Sequence, residues 1–326
     1  MSFQFRPAKR ESVGLLIGLA GASGAGKTYS ALRLANGMAG DKPFALIDTE
    51  AGRAKHYADA FRFDHGDLTA PFSPARYAEA IAAADAAGYP VIVVDSASHE
   101  HAGEGGLLDM QEAELTRLGG GDNMKMASWI KPKGEHKRMV SRLLQVRAHI
   151  ILCFRAESKI EVVKVGNKTV VQPKQTLTSI EGWIPICEKS LPFELTASFL
   201  LTPDAPGVPR PIKLQEQHKA FFPPGQPITE AAGAALARWA AGGAAPAAPP
   251  IARASVEIYE GLCGATTPRV AGRVTVYDTT LDGSQIFSTT DVAIADVAAI
   301  LEGKPVRVAY RATSKGGRMI ASIEAR

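Results

Sequence analysis

The chain has 326 residues, of which 46% are hydrophobic and 21% charged, values typical of a soluble globular protein with one large and one small domain. The net charge is only +4 and the three cysteines form no CxxC pair, which excludes a polycationic protein and a disulfide framework and favours a reducing, cytoplasmic compartment. No apolar stretch approaches the ~20 residues that span a bilayer, so we expect no membrane partner.

Apolar and amphipathic segments alternate through the first half of the chain. In order, "GLLIGLAG" predicts a strand, Thr28 to Met38 a helix, "FALID" a strand, "SPARYAEAIAAADAAG" a helix and "PVIVVDS" a strand. A basic helical segment that begins at Trp129 then leads to the strand "HIILCF". Continuously apolar strands are typical of sheets covered on both faces. The pattern therefore predicts an α/β domain with a largely parallel sheet.

The glycine-rich segment from Ser98 to Met124 follows the third predicted strand. It contains His99 and His101, but two histidines at this spacing without further ligands are a weak metal signal. We expect a mobile loop here.

The remainder of the chain is richer in predicted β-structure. "KIEVVKVGNKTVVQPK" predicts a hairpin that turns at Gly166–Asn167. An Ala/Pro-rich tract at residues 240–251 predicts a linker, so the domains are expected at 1–239 and 252–326. Short strands around glycine turns make the second domain a small β-rich one, for which a barrel of the OB type is one interpretation.

"GASGAGKT", residues 21–28, matches the phosphate-loop pattern GxxxxGK[ST] between a predicted strand and a predicted helix. Glycines let backbone N–H groups surround phosphates, the lysine neutralises them and the hydroxyl binds Mg²⁺. We therefore predict that ATP and Mg²⁺ are bound. The predicted nucleotide-binding residues are Gly21, Ala22, Ser23, Gly24, Ala25, Gly26, Lys27, Thr28 and Tyr29.

Two apolar strands end in acids, as a phosphate-loop ATPase requires for its metal and its attacking water. Asp95 follows four apolar residues in "VIVVD", which is the Walker B form, so Thr28 and Asp95 are the predicted Mg²⁺ ligands. "FALIDTE" supplies two further acids, Asp48 and Glu50.

These three motifs, in this order and at this spacing, resemble the ATPase core of RecA-type recombinases over residues 14–160. More narrowly, the chain resembles the RecA-like, AAA-type ATPases encoded by bacteriophages, some of which act in single-strand annealing and recombination. The resemblance implies a RecA-like P-loop NTPase core and a homo-oligomeric ring or filament. It also implies a location in the host cytoplasm if a phage encodes the chain. It also implies that Glu50 activates water and that Asp48 only closes the strand.

The resemblance breaks down at the end of "HIILCFR". RecA-type proteins place a γ-phosphate-sensing glutamine there, and this chain has Arg155. Arg155 is thus either a sensor or, with Lys159, a finger that reaches a neighbouring subunit. The predicted catalytic residues are Glu50, Lys27 and Arg155.

A rival resemblance is to partition-type and signal-recognition-type ATPases, in which Asp48 would be the functional acid. Those proteins usually carry a second lysine early in the phosphate loop, where this chain reads Ala22-Ser23.

Residues 124–160 hold nine Lys or Arg against two Glu. Such a cluster favours salt-dependent phosphate binding, and Trp129 could stack on a base. A solvated helix face, or contact with a neighbour's nucleotide, would explain the same charges. The DNA-binding candidates in this cluster and the following hairpin are Lys125, Lys131, Lys133, Lys137, Arg138, Lys159, Lys164 and Lys168.

Together these features predict a RecA-like protein that hydrolyses ATP and acts on single-stranded DNA in recombination or replication. A nucleotide-gated assembly factor or partition-type ATPase that does not remodel DNA is the alternative, and a small-molecule kinase is a third.

Overall fold

The structure is a computed structural model that describes residues 14–165, 168–243, 257–271, 274–312 and 317–326. The chain divides into two compact units between Ala248 and Pro249. The tract predicted as a linker begins at Ala240, the last residue of a helix, and its residues from 244 onward lie outside the described part of the chain. The predicted turn at Gly166–Asn167 lies outside it as well.

The first unit is built around one large sheet. Its strands and helices are β1 (Leu16–Gly21), α1 (Lys27–Ala39), β2 (Phe44–Asp48), β3 (Phe63–Asp67), α2 (Pro74–Ala86), β4 (Val91–Asp95), α3 (Ser98–Ala102), α4 (Leu107–Arg117), α5 (Ile130–Leu143), β5 (His149–Ser158), β6 (Ile160–Val165), β7 (Lys168–Pro173), β8 (Trp183–Pro185), α6 (Leu191–Glu194), β9 (Ala197–Thr202), β10 (Ala205–Lys213) and α7 (Glu230–Ala240).

The strand order is β10-β9-β1-β5-β4-β2-β3, and all neighbours in this order pair in parallel except the edge strand β10. The eighth strand, β8, lies off this order and pairs with β5 antiparallel. This confirms the predicted α/β domain with a largely parallel sheet. Strands β3, β9 and β10 were not expected. Strand β3 reads "FDHGD" and is largely exposed at the sheet edge, so it carries none of the apolar continuity that reveals a central strand.

Side chains of the central strands alternate between two apolar layers. In β1, Ile17 and Leu19 pack in the layer that contains α1 and α7, whereas Leu16 and Ala20 pack with α2 and α5. Successive residues of a strand point to opposite faces. Both faces are therefore covered, which is why β1, β2 and β4 are buried along their whole length.

Helices α1 and α7 cross so closely that two glycines are required. A Cβ on Gly37 would lie 1.9 Å from the Glu230 carbonyl oxygen, and a Cβ on Gly233 would lie 2.2 Å from the Leu34 carbonyl oxygen. We expect Gly37→Ala to lower the free energy of unfolding by about 1–3 kcal/mol, because the added methyl forces the helices apart. Urea denaturation measures the change.

Gly134 in α5 is the matched control, because a Cβ there meets only the end of the Arg138 side chain, at 3.7 Å. Gly134→Ala should raise the free energy of unfolding by up to about 1 kcal/mol through helix propensity. Equal effects of the two substitutions would contradict the close crossing of α1 and α7.

The prediction of a mobile loop from Ser98 to Met124 is wrong. The segment forms two helices, α3 and α4, and α3 is anchored by Glu100, whose buried carboxylate lies 2.9 Å from His136 Nδ1 on α5. Glycines Gly105 and Gly106 separate the two helices rather than extending one loop. No helix in the described residues is long and apolar enough to cross a membrane.

The second unit is a closed five-stranded barrel in the order β11-β12-β13-β15-β14. Its core contains Leu281, Phe287, Val306 and Val308, each fully buried. The elements are β11 (Glu257–Ala271), β12 (Val274–Leu281), β13 (Gln285–Thr289), α8 (Val292–Ile300), β14 (Pro305–Ala312) and β15 (Arg318–Ala325).

Candidate functional site

The phosphate loop joins the end of β1 to the start of α1. Gly24 and Gly26 have φ values of 78° and 80°, a conformation that glycine adopts without steric cost. Within the described residues, a Cβ on Gly24 would meet open space, whereas one on Gly26 would lie 3.0 Å from the backbone nitrogen of Gly207. The loop is thus held by the first residues of β10, where Gly207 N–H donates to the Ala25 carbonyl at 3.0 Å.

Lys27 and the first turn of α1 make this loop suited to an anion. Lys27 Nζ donates to the Ala22 carbonyl at 2.8 Å, so the ammonium group lies over the loop. The N-terminus of a helix adds positive partial charge and free backbone donors. A polyphosphate fits this combination.

Thr28, in the first turn of α1, meets Asp95 at the end of β4. Thr28 Oγ1 donates to Asp95 Oδ2 at 2.6 Å. Burial, opposed by the Thr28 hydrogen bond, raises the pKa of Asp95 to about 6, and the charge of Glu50 adds to the rise. A hydroxyl beside a carboxylate offers the hard oxygen donors that Mg²⁺ prefers, and a cation would relieve the cost of burying that carboxylate. The residues therefore fit a magnesium ion next to bound phosphates.

Glu50 and Arg155 form an ion pair at the same edge of the sheet. Glu50 Oε1 accepts from Arg155 Nε at 3.1 Å and from Arg155 Nη2 at 2.8 Å. Burial alone would raise the pKa of Glu50, but the hydrogen bond and charge of Arg155, with a smaller contribution from Arg53, hold it below the ordinary value. Glu50 is therefore an ionised, half-buried carboxylate at neutral pH.

Asp48 has a different environment from Glu50. It is buried, and its Oδ1 accepts from the Glu50 backbone N–H at 2.6 Å while its Oδ2 accepts from Ala54 N–H at 3.2 Å. His65 Nε2 also lies 3.1 Å from Oδ2. The carboxylate of Asp48 thus closes the turn after β2 and sets the path of the chain that carries Glu50.

Sequence reasoning missed His99 at this site. Its Nδ1 lies 2.8 Å from Thr49 Oγ1, and Thr49 Oγ1 in turn accepts from Ser96 N–H at 2.8 Å. Burial, aided by the charge of Arg155, lowers the pKa of His99. His99 lies four residues after Asp95, as the second residue of α3, and its closeness in sequence to the Walker B acid is the signal that could have identified it.

Tyr29 lies at the outer edge of the site with 47% of its surface exposed. Its ring centroid is 5.8 Å from that of Tyr57 and 5.5 Å from that of Phe61. This small aromatic group leaves one ring partly open beside the phosphate loop.

The side chains predicted to contact DNA differ in their surroundings. Lys133 and Lys137 line a groove, Lys159 Nζ pairs with Glu157 at 2.6 Å, and Lys125 Nζ pairs with Asp122 at 2.7 Å. Arg138 and Lys131 lie on α5 outside the groove, Lys164 lies on β6, and the side chain of Lys168 lies outside the described ones. No group of three or more potential metal-binding side chains was found among the described residues.

Comparison with known proteins places this site in a family. A family model described as an AAA domain matches residues 14–185, which is more than half of the chain and includes the phosphate loop, Glu50, Asp95 and Arg155. No curated protein matches the chain. Such domains are nucleotide-binding ATPase domains, in agreement with the site geometry. The chain therefore belongs to this AAA domain family.

Proposed function

We propose that the protein is a RecA-like ATPase of the type encoded by bacteriophages, which acts on single-stranded DNA as a homo-oligomer in recombination or replication. One observation carries the proposal: five predicted side chains meet where the strands of one parallel sheet end. They are Lys27, Thr28, Glu50, Asp95 and Arg155. Ligands of open α/β sheets bind at this edge.

Each residue has a role that follows from its contacts. The phosphate loop and Lys27 bind the phosphates of ATP, and the open ring of Tyr29 is placed to pack against the nucleoside. Thr28 and Asp95 would hold Mg²⁺, which when bound offsets negative charge on the phosphates. Electrostatic stabilisation of this kind accounts for most of the catalysis of phosphoryl transfer.

Glu50 is the group that we assign to the attacking water. Its carboxylate is ionised at neutral pH and its charge acts on the neighbouring Asp95, and a general base must be ionised before it can accept a proton. Arg155 orients Glu50 through two hydrogen bonds. In this assignment Arg155 acts as a positioning residue through Glu50 of its own chain.

Two observations support the proposal that DNA is the substrate: a cluster of positive charge in the first unit and the topology of the second unit. Lysines and arginines gather on α5 and around β5, and non-specific DNA affinity comes from such clusters. The strand order of the barrel, with a helix between its third and fourth strands, supports assigning it to the OB type, many members of which bind oligonucleotides.

ATP turnover with and without single-stranded DNA tests the proposal against its alternatives. We expect slow hydrolysis by the protein alone and several-fold stimulation by an oligonucleotide such as dT40. Nucleotide binding without turnover would instead indicate a nucleotide-gated assembly factor, and phosphate transfer to a metabolite would indicate a kinase. Turnover that DNA does not change would contradict the DNA-directed part of the proposal.

A further inference from the structure

A groove in the first unit lies between α3, the turn before α5 and the first half of α5. Its volume is about 590 Å³, within the range of ligand sites in proteins. Its walls combine three apolar side chains, Met126, Trp129 and Ile130, with three lysines, Lys133, Lys137 and Lys189.

The apolar wall is exposed to solvent. Met126 is 84% exposed and Ile130 is 74% exposed, and they flank the half-buried Trp129 in sequence. Soluble proteins seldom expose large apolar side chains side by side unless the surface binds something. The groove therefore has an aromatic face that a flat apolar ligand could cover.

The lysines give the same groove a positive charge. Lys133 Nζ lies 5.8 Å from the centroid of the Trp129 ring and 3.6 Å from Glu188 Oε1. Lys137 and Lys189 are exposed on the walls. Glu188 is the one acid among the residues that line the described groove, so the charge balance favours an anionic ligand.

We propose that this groove binds a short segment of single-stranded nucleic acid, with one base stacked on Trp129 and the flanking phosphates on Lys133, Lys137 and Lys189. The proposal rests on the function proposed above and names the place where the substrate is held. Stacking on an aromatic ring beside backbone-neutralising cations is how proteins bind single strands without reading their sequence. An acidic peptide would use the lysines but would leave the aromatic wall without a flat partner.

Helix α3 joins the groove to the nucleotide site. His101 lines the groove, two residues after His99, which contacts Thr49 beside Glu50. Between them, Glu100 is bound to His136 of α5, the helix that carries Lys133 and Lys137. A ligand in the groove therefore contacts a helix that also borders the ATPase residues.

Fluorescence anisotropy of a labelled dT20 oligonucleotide with the full chain tests the proposal. Trp129→Ala should weaken binding by about 5- to 100-fold with an unchanged salt dependence, because it removes a stacked base. Trp129→Phe should recover most of the affinity. Lys133→Gln with Lys137→Gln should make the slope of log K against log[salt] less negative by about 1.4, as expected for two lost phosphate contacts on a single strand.

Lys42→Gln with Lys219→Gln is the matched control, since it removes the same charge from exposed positions outside the groove, and it should leave the slope unchanged. Thermal unfolding of each variant shows that the fold is retained. If the wild type binds dT20 and the groove variants bind it equally well, the groove proposal is overturned while the proposed function stands. If the wild type binds polyglutamate rather than dT20, both are overturned.

Discussion

Glu50→Gln should bind ATP with wild-type affinity and hydrolyse it about 10²- to 10⁴-fold more slowly, the loss that accompanies removal of a general base. Glutamine keeps the size of the side chain and can still accept the hydrogen bonds of Arg155, so the loop should remain in place. ATP binding by calorimetry and phosphate release on the same preparation measure the two quantities separately.

Glu157→Gln is the control for this substitution. Glu157 lies near Arg155 on β5, is about half exposed and pairs with Lys159 rather than with residues of the nucleotide site, so its loss should leave hydrolysis unchanged. Wild-type turnover by Glu50→Gln would remove Glu50 from the mechanism, and loss of ATP binding would show that it holds the nucleotide instead.

The same assignment predicts a direction for the pH dependence. Arg155 holds the pKa of Glu50 below its ordinary value, and a base works only while it is ionised. The rate therefore falls as pH drops through that lowered pKa. In Arg155→Ala the acidic limb of the rate profile should move to higher pH, a shift that a purely structural role for Arg155 would not produce.

Asp48→Ala should lower the free energy of unfolding by about 2–4 kcal/mol, because it leaves the buried N–H groups of Glu50 and Ala54 and the ring of His65 without their acceptor. Urea denaturation measures this change. Hydrolysis by the folded fraction should fall but should not be abolished, because the substitution acts on hydrolysis only by displacing Glu50.

Asp67→Ala is the matched control on the neighbouring strand, where the carboxylate is 55% exposed and lies 3.6 Å from Lys55 Nζ. An exposed pair of this kind contributes little, so we expect a change below about 1 kcal/mol. If Asp48→Ala abolished hydrolysis without destabilising the fold, the partition-type assignment, in which Asp48 is the functional acid, would be favoured over Glu50.

Local sequence was sufficient to predict the parts of the site that are contiguous. The phosphate loop needs its glycines, lysine and threonine within eight residues, between a strand and a helix, and the structure has that arrangement from Gly21 to Thr28. Asp95 was recognisable because a buried strand of four apolar residues ends there. Both signals depend only on residues that are neighbours in the chain, so they can be recognised without knowledge of the tertiary structure.

Other features depended on residues far apart in sequence. Strand β3 was missed because an edge strand is not required to be apolar, and the helices after β4 were missed because glycines between them obscured their periodicity. The basic cluster was visible as composition, yet only packing shows which of its lysines line the groove beside Trp129 and which lie elsewhere.

The sequence by itself determined that a phosphate-binding loop and two acid-ended strands share one parallel sheet. Only the tertiary structure decided the different environments of Asp48 and Glu50. Asp48 and Glu50 are two residues apart and alike in chemistry, but Asp48 is bound by its own turn, whereas Glu50 faces Arg155 from 105 residues further along the chain. The environments of the two carboxylates differ because Asp48 is held by N–H groups of its own turn, whereas Glu50 is held by an arginine that only the fold brings close to it.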